Sequence, residues 1–536
     1  MSVIELARAW SDQDPDSKTK AELENLINEN DLAGLEDRFS QLLQFGTAGL
    51  RGELGAGPNR MNRIVVSYAA LAIARFLNSH KSLYQDSNGQ LSVVVGYDGR
   101  ENSDIFAQDT AEILAAAGCK AMLFQTTVPT PVAAFTGKRL GASATIVVTA
   151  SHNPPRDNGY KVYLGGANGG SQLISPQDKD IAALIADISK SETFATIEHS
   201  SDIQSLTELD ISHYVDRALS LISKENSNRP NLKITHTALH GVGWSVVGDI
   251  FSNAGFKVQP VSAQQKADAT FPTVVFPNPE EPGAMDLAIE TAENNGSDLI
   301  LANDPDADRL AVAVPTHKGW QMLTGDQVGL ILADYVAQKN SKGTIANSIV
   351  SANLSKIAEH YNLDYKQTLT GFKWISKVPN LVFGYEEALG YCVDPSHTPD
   401  KDGITAALFV AELAADLKAQ GKSLLDLLGQ LKEKFGESST GQVSIRVQEL
   451  SVIGKIMQHV RSKPPTEFDG SLKMIDLAAS DTLRTDAVIL ENEKVRMIFR
   501  PSGTEPKLKC YLQYSGSESD LARLKDFAAS YLAAAQ

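Results

Sequence analysis

Four loops of this chain carry residues whose types and spacing could do chemistry. In the first, Thr149-Ala150-Ser151-His152-Asn153-Pro154 follows the apolar run Ala144 to Val148 and leads into Asn158-Gly159-Tyr160-Lys161. Reactive groups of open α/β sheets collect at the carboxyl ends of strands, so Ser151 is a candidate nucleophile or phosphoryl carrier. A turn built from Ser, Asn and Pro is the plain alternative. A hydrolase triad fits less well, because the elbow glycines are absent and the adjacent Ser151 and His152 would need unusual geometry to pair.

The second loop, Asn303-Asp304-Pro305-Asp306-Ala307-Asp308-Arg309, follows the strand-like Asp298 to Ala302. Three carboxylates at alternate positions repel one another unless a cation neutralises them, and an all-oxygen donor set favours Mg²⁺ or Ca²⁺. An EF-hand is excluded, since its sixth position would be Arg309 and its twelfth Pro315. Arg309 beside a metal points to a phosphate ligand. The third element joins Thr370-Gly371-Phe372-Lys373 to Gly384-Tyr385-Glu386-Glu387-Ala388, with Lys401 further on. Glu386 could accept from sugar hydroxyls, and Lys373 and Lys401 could meet phosphate or move a proton. An ordinary surface loop would look the same. In the fourth, Arg500-Pro501-Ser502-Gly503-Thr504-Glu505-Pro506-Lys507-Leu508-Lys509 combines hydroxyls, a glycine and cations, the makings of a phosphate cradle rather than a plain hairpin turn. The early Gly-rich segment around Arg51 resembles it in kind.

Such loops need a scaffold. Apolar strand-like runs alternate with helical patterns, as at Leu91 to Gly96 followed by Ile105 to Ala117, and this strand, helix, strand rhythm recurs near 232 to 260 and 345 to 385. The expected fold is therefore α/β, in several similar units. Polar stretches set boundaries near 210, 320 and 455, giving domains 1–210, 211–320, 321–455 and a smaller α+β domain 456–536. The length of 536 residues suits three to four domains. A formal charge of −16 argues against nucleic acid and anionic membrane partners, so an anionic ligand must be met by local cations and N–H groups. Three scattered cysteines, no basic-then-apolar start and no apolar stretch near 20 residues lead to the expectation of a cytoplasmic protein.

Taken together and in this order, the four loops resemble those of the α-D-phosphohexomutase superfamily, the phosphoglucomutases and phosphomannomutases, from about Phe45 to Tyr514. The resemblance implies four domains around a central cleft, three of similar α/β build and a smaller fourth. It implies that Ser151 is a phosphoserine, and that Asp304, Asp306 and Asp308 bind Mg²⁺ with one phosphoserine oxygen. It implies that Lys161 is a general acid or base, with His152 beside the nucleophile. By the same resemblance Arg51 and Arg309 hold the transferring phosphoryl group. Arg500, Ser502, Gly503, Thr504 and Lys509 hold the other phosphate. Thr370, Gly371, Lys373, Glu386 and Lys401 line the sugar side. The implied reaction converts glucose 1-phosphate to glucose 6-phosphate through glucose 1,6-bisphosphate, on small-molecule sugar phosphates, in a monomer or homodimer. Many relatives have serine where this chain has Ala388, and its Gly-Tyr-Glu-Glu-Ala-Leu-Gly-Tyr form looks like the branch that includes phosphoglucomutases and phosphopentomutases, so mannose and ribose phosphates stand as alternatives to glucose phosphate, in a phosphomannomutase or phosphopentomutase of the same fold.

Two rival readings compete. In a haloacid-dehalogenase-type enzyme Asp304 would be the nucleophile and Asp306 the acid or base, so Ser151 would be dispensable. A nonenzymatic sugar-phosphate-binding regulator would bind ligand without turnover.

Overall fold

The computed structural model describes the chain apart from residues 47–48, 448–449, 482, 502–506 and 536. Among the described residues the strands form four sheets. The chain divides into two compact units, Met1–Leu323 with Leu389–Gly421, and Thr324–Ala388 with Lys422–Gln536. The architecture is mixed α/β, with three similar domains and a different C-terminal one.

In the first unit β1 (Leu50–Glu53), β2 (Ser92–Tyr97), β3 (Lys120–Phe124), β4 (Ala144–Val148), β5 (Asp157–Leu164), β6 (Ser171–Gln172) and β7 (Ile203–Leu206) make the first sheet. Its order is β1-β5-β4-β2-β3-β7, with β6 on β5. β4, β2, β3 and β7 are parallel neighbours, and β5 turns back antiparallel to β4. All five residues of β4 are buried, as expected of an apolar, β-branched strand covered on both faces. Val93 and Val95 of β2 share a core with Ile64, Phe106 and Ile181 from flanking helices. Three N-terminal helices, Val3–Gln13, Ser17–Asn28 and Leu32–Phe39, add Ala7, Trp10, Leu23 and Leu35 to that core. The first of them starts with a capping box between Ser2 and Glu5.

The second sheet repeats the plan. β8 (Lys233–Thr237), β9 (Lys257–Pro260) and β10 (Leu299–Ala302) are parallel, and β11 (Ala311–Thr316) and β12 (Gly319–Met322) continue antiparallel in the order β12-β11-β10-β8-β9. The aspartate loop lies between β10 and β11, the place the Ser151 loop takes between β4 and β5. In the second unit β13 (Thr344–Ser348) lies between parallel β14 (Asp364–Thr368) and β15 (Leu381–Glu386). Glu386 ends β15, so a third loop again follows the carboxyl end of a parallel strand.

The chain then rejoins the first unit as β16 (Gly390–Cys392) and the helix Gly403–Ala419. Acidic residues of this return segment meet partners across the unit. Tyr214 donates to Asp402 at 2.8 Å, Tyr163 to Asp400 at 2.7 Å, and Arg217 pairs with Asp394 at 2.7 Å. The buried Arg229 and Glu412 pair at 2.6 Å.

The C-terminal domain is antiparallel. β17 (Ser439–Arg446), β18 (Lys473–Asp476), β19 (Val488–Glu491), β20 (Val495–Pro501) and β21 (Lys507–Tyr514) lie in the order β17-β21-β20-β19-β18. The two-residue period sorts its side chains. Val488, Leu490, Met497 and Phe499 pack on Leu521 and Leu524 of the last helix, while Ile489, Ile498 and Tyr511 meet Ile349 and Val350 of the third domain. That second core holds the third and fourth domains in one unit. No helix among the described residues is long and apolar enough to cross a membrane.

Candidate active site

Ser151 sits at the reversal between β4 and β5 with a left-handed backbone (φ 53°) and is 1% exposed. A non-glycine residue in that conformation is held there by its surroundings. The Ser151 N–H donates to Thr149 Oγ1 at 2.8 Å, and the hydroxyl donates to Asp304 Oδ2 at 2.6 Å. His152 Nδ1 stands 3.2 Å from Ser151 Oγ, so the adjacent pair does meet. Burial, together with the cations Arg309 and Arg51, pushes the His152 imidazole well below its usual range, which makes it a neutral ring.

The aspartate loop is buried throughout: Asp304, Asp306 and Asp308 are at most 1% exposed, and each offers an oxygen within 4.8 Å of the others. Here too one residue is left-handed, Ala307 at φ 57°. The loop is tied from outside. Asn303 Oδ1 accepts from His236 Nε2 at 2.9 Å, its Nδ2 donates to the Arg309 carbonyl at 2.7 Å, and the Arg309 N–H donates to Asp304 Oδ1 at 3.0 Å. The Gly403 N–H donates to the Ala307 carbonyl at 3.2 Å. A Cβ on Gly403 would lie 2.2 Å from the Arg309 carbonyl oxygen, so glycine is what lets this helix start approach the loop.

Lys161, on β5, reaches between two of the carboxylates and donates to Asp306 Oδ2 and Asp308 Oδ2, each at 2.6 Å. Burial opposes its charge, but the two carboxylates outweigh that and raise its pKa, so Lys161 is held as an ammonium. Burial likewise opposes ionisation of Asp306 and Asp308, yet Lys161 holds both below the usual carboxylate range, aided at Asp308 by Lys401 and Arg309. Asp304, buried beside the other two carboxylates, is pushed well above it. Lys401 lies 3.1 Å from Asp308 Oδ2, in this cluster. Arg51 donates to Asn153 Oδ1 at 3.2 Å, and Arg309 Nε lies 3.9 Å from Asp308 Oδ1.

The donor set suits a hard divalent cation. Asp306 Oδ1 and Asp308 Oδ1 are buried and have no hydrogen-bond partner among the described residues, although their sister oxygens are taken by Lys161. Buried carboxylate oxygens left bare in this way are costly unless something binds them.

In the second unit Gly371, at φ 118°, turns its N–H onto Glu386 Oε1 at 2.6 Å, tying the Thr370 loop to the end of β15. Thr370 Oγ1 is buried without a partner among the described residues. Lys373 Nζ lies 5.7 Å from the centroid of the Trp374 ring. Arg500 and Lys509 are direct cross-strand partners on β20 and β21, so both cations project from one face. Burial raises the Tyr511 phenol, with Glu387 and Glu386 adding to the effect and Arg500 opposing it. Ser502, Gly503 and Thr504 lie outside the described residues.

Several residues at these loops escaped sequence reasoning. Thr130 donates its hydroxyl to Asp306 Oδ2 and its N–H to the Asp306 carbonyl. Arg100 ties down the Ser151 loop. Glu387, beside Glu386, is pushed up to about 7 by burial and by Glu386 and Asp326. A signal existed for Arg100 alone, since Asp98-Gly99-Arg100 follows β2 at the same sheet end.

Comparison with known proteins agrees with this geometry. Models of phosphoglucomutase/phosphomannomutase alpha/beta/alpha domains I, II and III match residues 42–192, 212–319 and 324–435, and that of the C-terminal domain matches 456–530. A Haemophilus influenzae protein named "Probable phosphomannomutase" is 46% identical over 466 residues, covering 85% of this chain and 94% of its own. A Schizosaccharomyces pombe protein named "Probable phosphoribomutase" is 35% identical, covering 95% and 93%. Among solved structures, parafusin from Paramecium, a phosphoglucomutase in an open form, superimposes with a TM-score of 0.70 at 16% identity, covering 91% of this chain and 94% of its own. The chain belongs to the phosphoglucomutase/phosphomannomutase family and is a phosphosugar mutase of the phosphohexomutase type.

Proposed function

We propose that the protein interconverts sugar 1-phosphates and sugar 6-phosphates, with glucose 1-phosphate and glucose 6-phosphate as the preferred pair, through a phosphoserine at Ser151 and a bisphosphorylated sugar. The observation that carries the reading is the 2.6 Å hydrogen bond from the Ser151 hydroxyl to Asp304 within a buried three-aspartate cluster. In the first half-reaction the bond between phosphorus and Ser151 Oγ breaks, a bond to the sugar 6-hydroxyl oxygen forms, and the hydroxyl proton leaves to a base. The sugar bisphosphate, glucose 1,6-bisphosphate for glucose, then presents its other end. Its 1-phosphate returns to Ser151 Oγ, and the freed sugar oxygen takes up a proton.

Asp304, Asp306 and Asp308, with a phosphoserine oxygen, would hold Mg²⁺, which when bound offsets the charge of the transferring phosphoryl group. Arg51, bonded to Asn153 of the serine loop, and Arg309, beside Asp308, would hold that group in line for attack. Lys161, kept as an ammonium, is suited to give a proton to the leaving sugar oxygen rather than to take one. The neutral His152 at Ser151 Oγ is suited to orient the hydroxyl. Lys401 stands with the aspartates and serves phosphoryl transfer before sugar recognition. Glu386 and Thr370 would meet sugar hydroxyls, and Arg500 and Lys509, with Ser502, Gly503 and Thr504, the distal phosphate.

The S. pombe relative's name and the alanine at 388 favour one second reading, a phosphopentomutase. Conversion of glucose 1-phosphate, mannose 1-phosphate and ribose 1-phosphate, assayed with Mg²⁺ and trace bisphosphate, ranks the sugars. Turnover of glucose 1-phosphate that is lost in Ser151→Ala supports the proposal. Ribose 1-phosphate as the best substrate overturns the choice of glucose, and turnover surviving in Ser151→Ala overturns the phosphoserine.

A further inference from the structure

Arg100 is 4% exposed and donates to four backbone carbonyls of one loop. Its Nη2 reaches the carbonyls of Ser151 (2.6 Å) and Asn153 (2.7 Å), and its Nη1 those of Pro154 and Asp157 (2.8 Å each). These acceptors span the whole turn from β4 to β5. A planar guanidinium with donors fixed in a fork can hold four carbonyls at set directions, whereas a lysine ammonium offers three donors around one point. The left-handed backbone of Ser151 is thus closed from beneath by one side chain.

Arg100 is itself held from two sides. Asp98, 1% exposed, accepts from the Arg100 N–H at 3.0 Å and lies 3.6 Å from Nε. Ser103 donates to the same carboxylate at 2.8 Å. From the second domain, Phe271 places its ring 5.1 Å from the Arg100 guanidinium carbon, and it too has a left-handed backbone, at φ 47°. Phe271 belongs to the domain that carries the aspartate loop, so the clamp on the serine loop rests partly on the domain that supplies its hydrogen-bond acceptor, Asp304.

We propose that Arg100 is a positioning residue for Ser151. Clamped by Asp98 and Phe271, it holds the serine loop so that Oγ stays aimed at Asp304 and at the incoming phosphoryl group. This rests on the reading of Ser151 as phosphoryl carrier. Arg100 touches backbone alone in the loop, so its effect falls on transfer rather than on sugar-phosphate affinity.

The test compares wild type, Arg100→Lys, Phe271→Leu and Ser151→Ala, each purified as folded full-length chain by gel filtration. Steady-state kinetics on glucose 1-phosphate are paired with single-turnover phosphorylation by glucose 1,6-bisphosphate, read by intact mass. Arg100→Lys is expected to lower kcat and the single-turnover rate by about 30-fold or more, with KM within about threefold, since displacing a reacting group by an ångström costs on the order of a hundredfold. Phe271→Leu is expected to lower both rates about three- to tenfold at unchanged KM. Full rates in Arg100→Lys, or rate losses matched by an equal rise in KM, overturn the proposal. Should Arg100→Lys not fold, Phe271→Leu decides: a rate loss at constant KM supports the clamp, and wild-type rates refute it. Turnover surviving in Ser151→Ala would instead sink the phosphoserine reading beneath it.

Discussion

Replacing Lys161 by methionine keeps an unbranched side chain one atom shorter and removes its charge. The ammonium lies 2.6 Å from an oxygen of Asp306 and of Asp308. At an effective dielectric of about 20, each contact is worth about 6 kcal/mol of gross attraction, which the desolvation of three buried charges largely offsets. Breaking a buried pair by deleting one partner costs about 3–5 kcal/mol net, so Lys161→Met is expected to lose about 4 kcal/mol in EDTA. At a urea slope of about 3 kcal/mol per M this moves the unfolding midpoint down by roughly 1.3 M. Three of the four tryptophans, Trp10, Trp244 and Trp320, lie in the first unit, so intrinsic fluorescence reports it. A cation that replaces the missing ammonium should return part of the loss, about 2.7 kcal/mol at a hundred times its dissociation constant. Wild type binds the same cation, but in the variant the carboxylates freed of Lys161 hold it more tightly, so the gap to wild type should narrow in Mg²⁺, while kcat stays about a hundredfold or more below wild type. A midpoint within about 0.3 M of wild type in EDTA, or an equal gap with and without Mg²⁺, would refute the charge argument.

Other consequences are open to measurement. Glu412→Gln leaves Arg229 buried without its counter-charge and should cost about 3 kcal/mol in urea unfolding, most of it regained when Arg229→Met is added. The Glu387 carboxyl, about 7 in the fold against an ordinary 4.5, contributes stability that is full below the lower value and lost as pH rises through the higher. Unfolding followed at Trp374 should weaken by about 2 kcal/mol, a figure reduced for partial exposure to water, between pH 4.5 and 7.5 in wild type. In Glu387→Gln the slope should fall by that amount, what is left coming from other buried carboxyls such as Asp326. On the proposed reading of Glu386 as a sugar contact, Ala388→Ser adds a hydroxyl two residues beyond it and should raise kcat/KM for glucose 1-phosphate relative to ribose 1-phosphate by about tenfold, as measured in a coupled assay.

Much of the scaffold is legible along the chain, because buried parallel strands such as Ala144–Val148 and Leu299–Ala302 are short apolar runs that end in polar loops. The same rule placed Ser151 and the three aspartates. Long-range contacts carry no such mark. Thr130 meets Asp306 across 176 residues, and nothing near Thr130 in the sequence announces it. Lys401, which its own chemistry marks as a phosphate contact or proton carrier and the resemblance sets on the sugar side, lies 3.1 Å from Asp308 through the packing of Leu389–Gly421 into the first unit, a contact no neighbour in the sequence announces. The pairing of Ser151 with His152 depends on a left-handed backbone that composition does not encode. Arg100 escaped notice because its partners are carbonyls, which every residue has.

The most direct test of the account is phosphopeptide mapping after incubation with glucose 1,6-bisphosphate. The account predicts a gain of about 80 Da located on Ser151. That gain should persist through turnover of glucose 1-phosphate, because each cycle returns a phosphate to Ser151, while a radiolabel first placed on Ser151 passes into the sugar phosphates; it should be absent in Ser151→Ala. Phosphate found on Asp304, or a Ser151→Ala protein that still turns over, would contradict it.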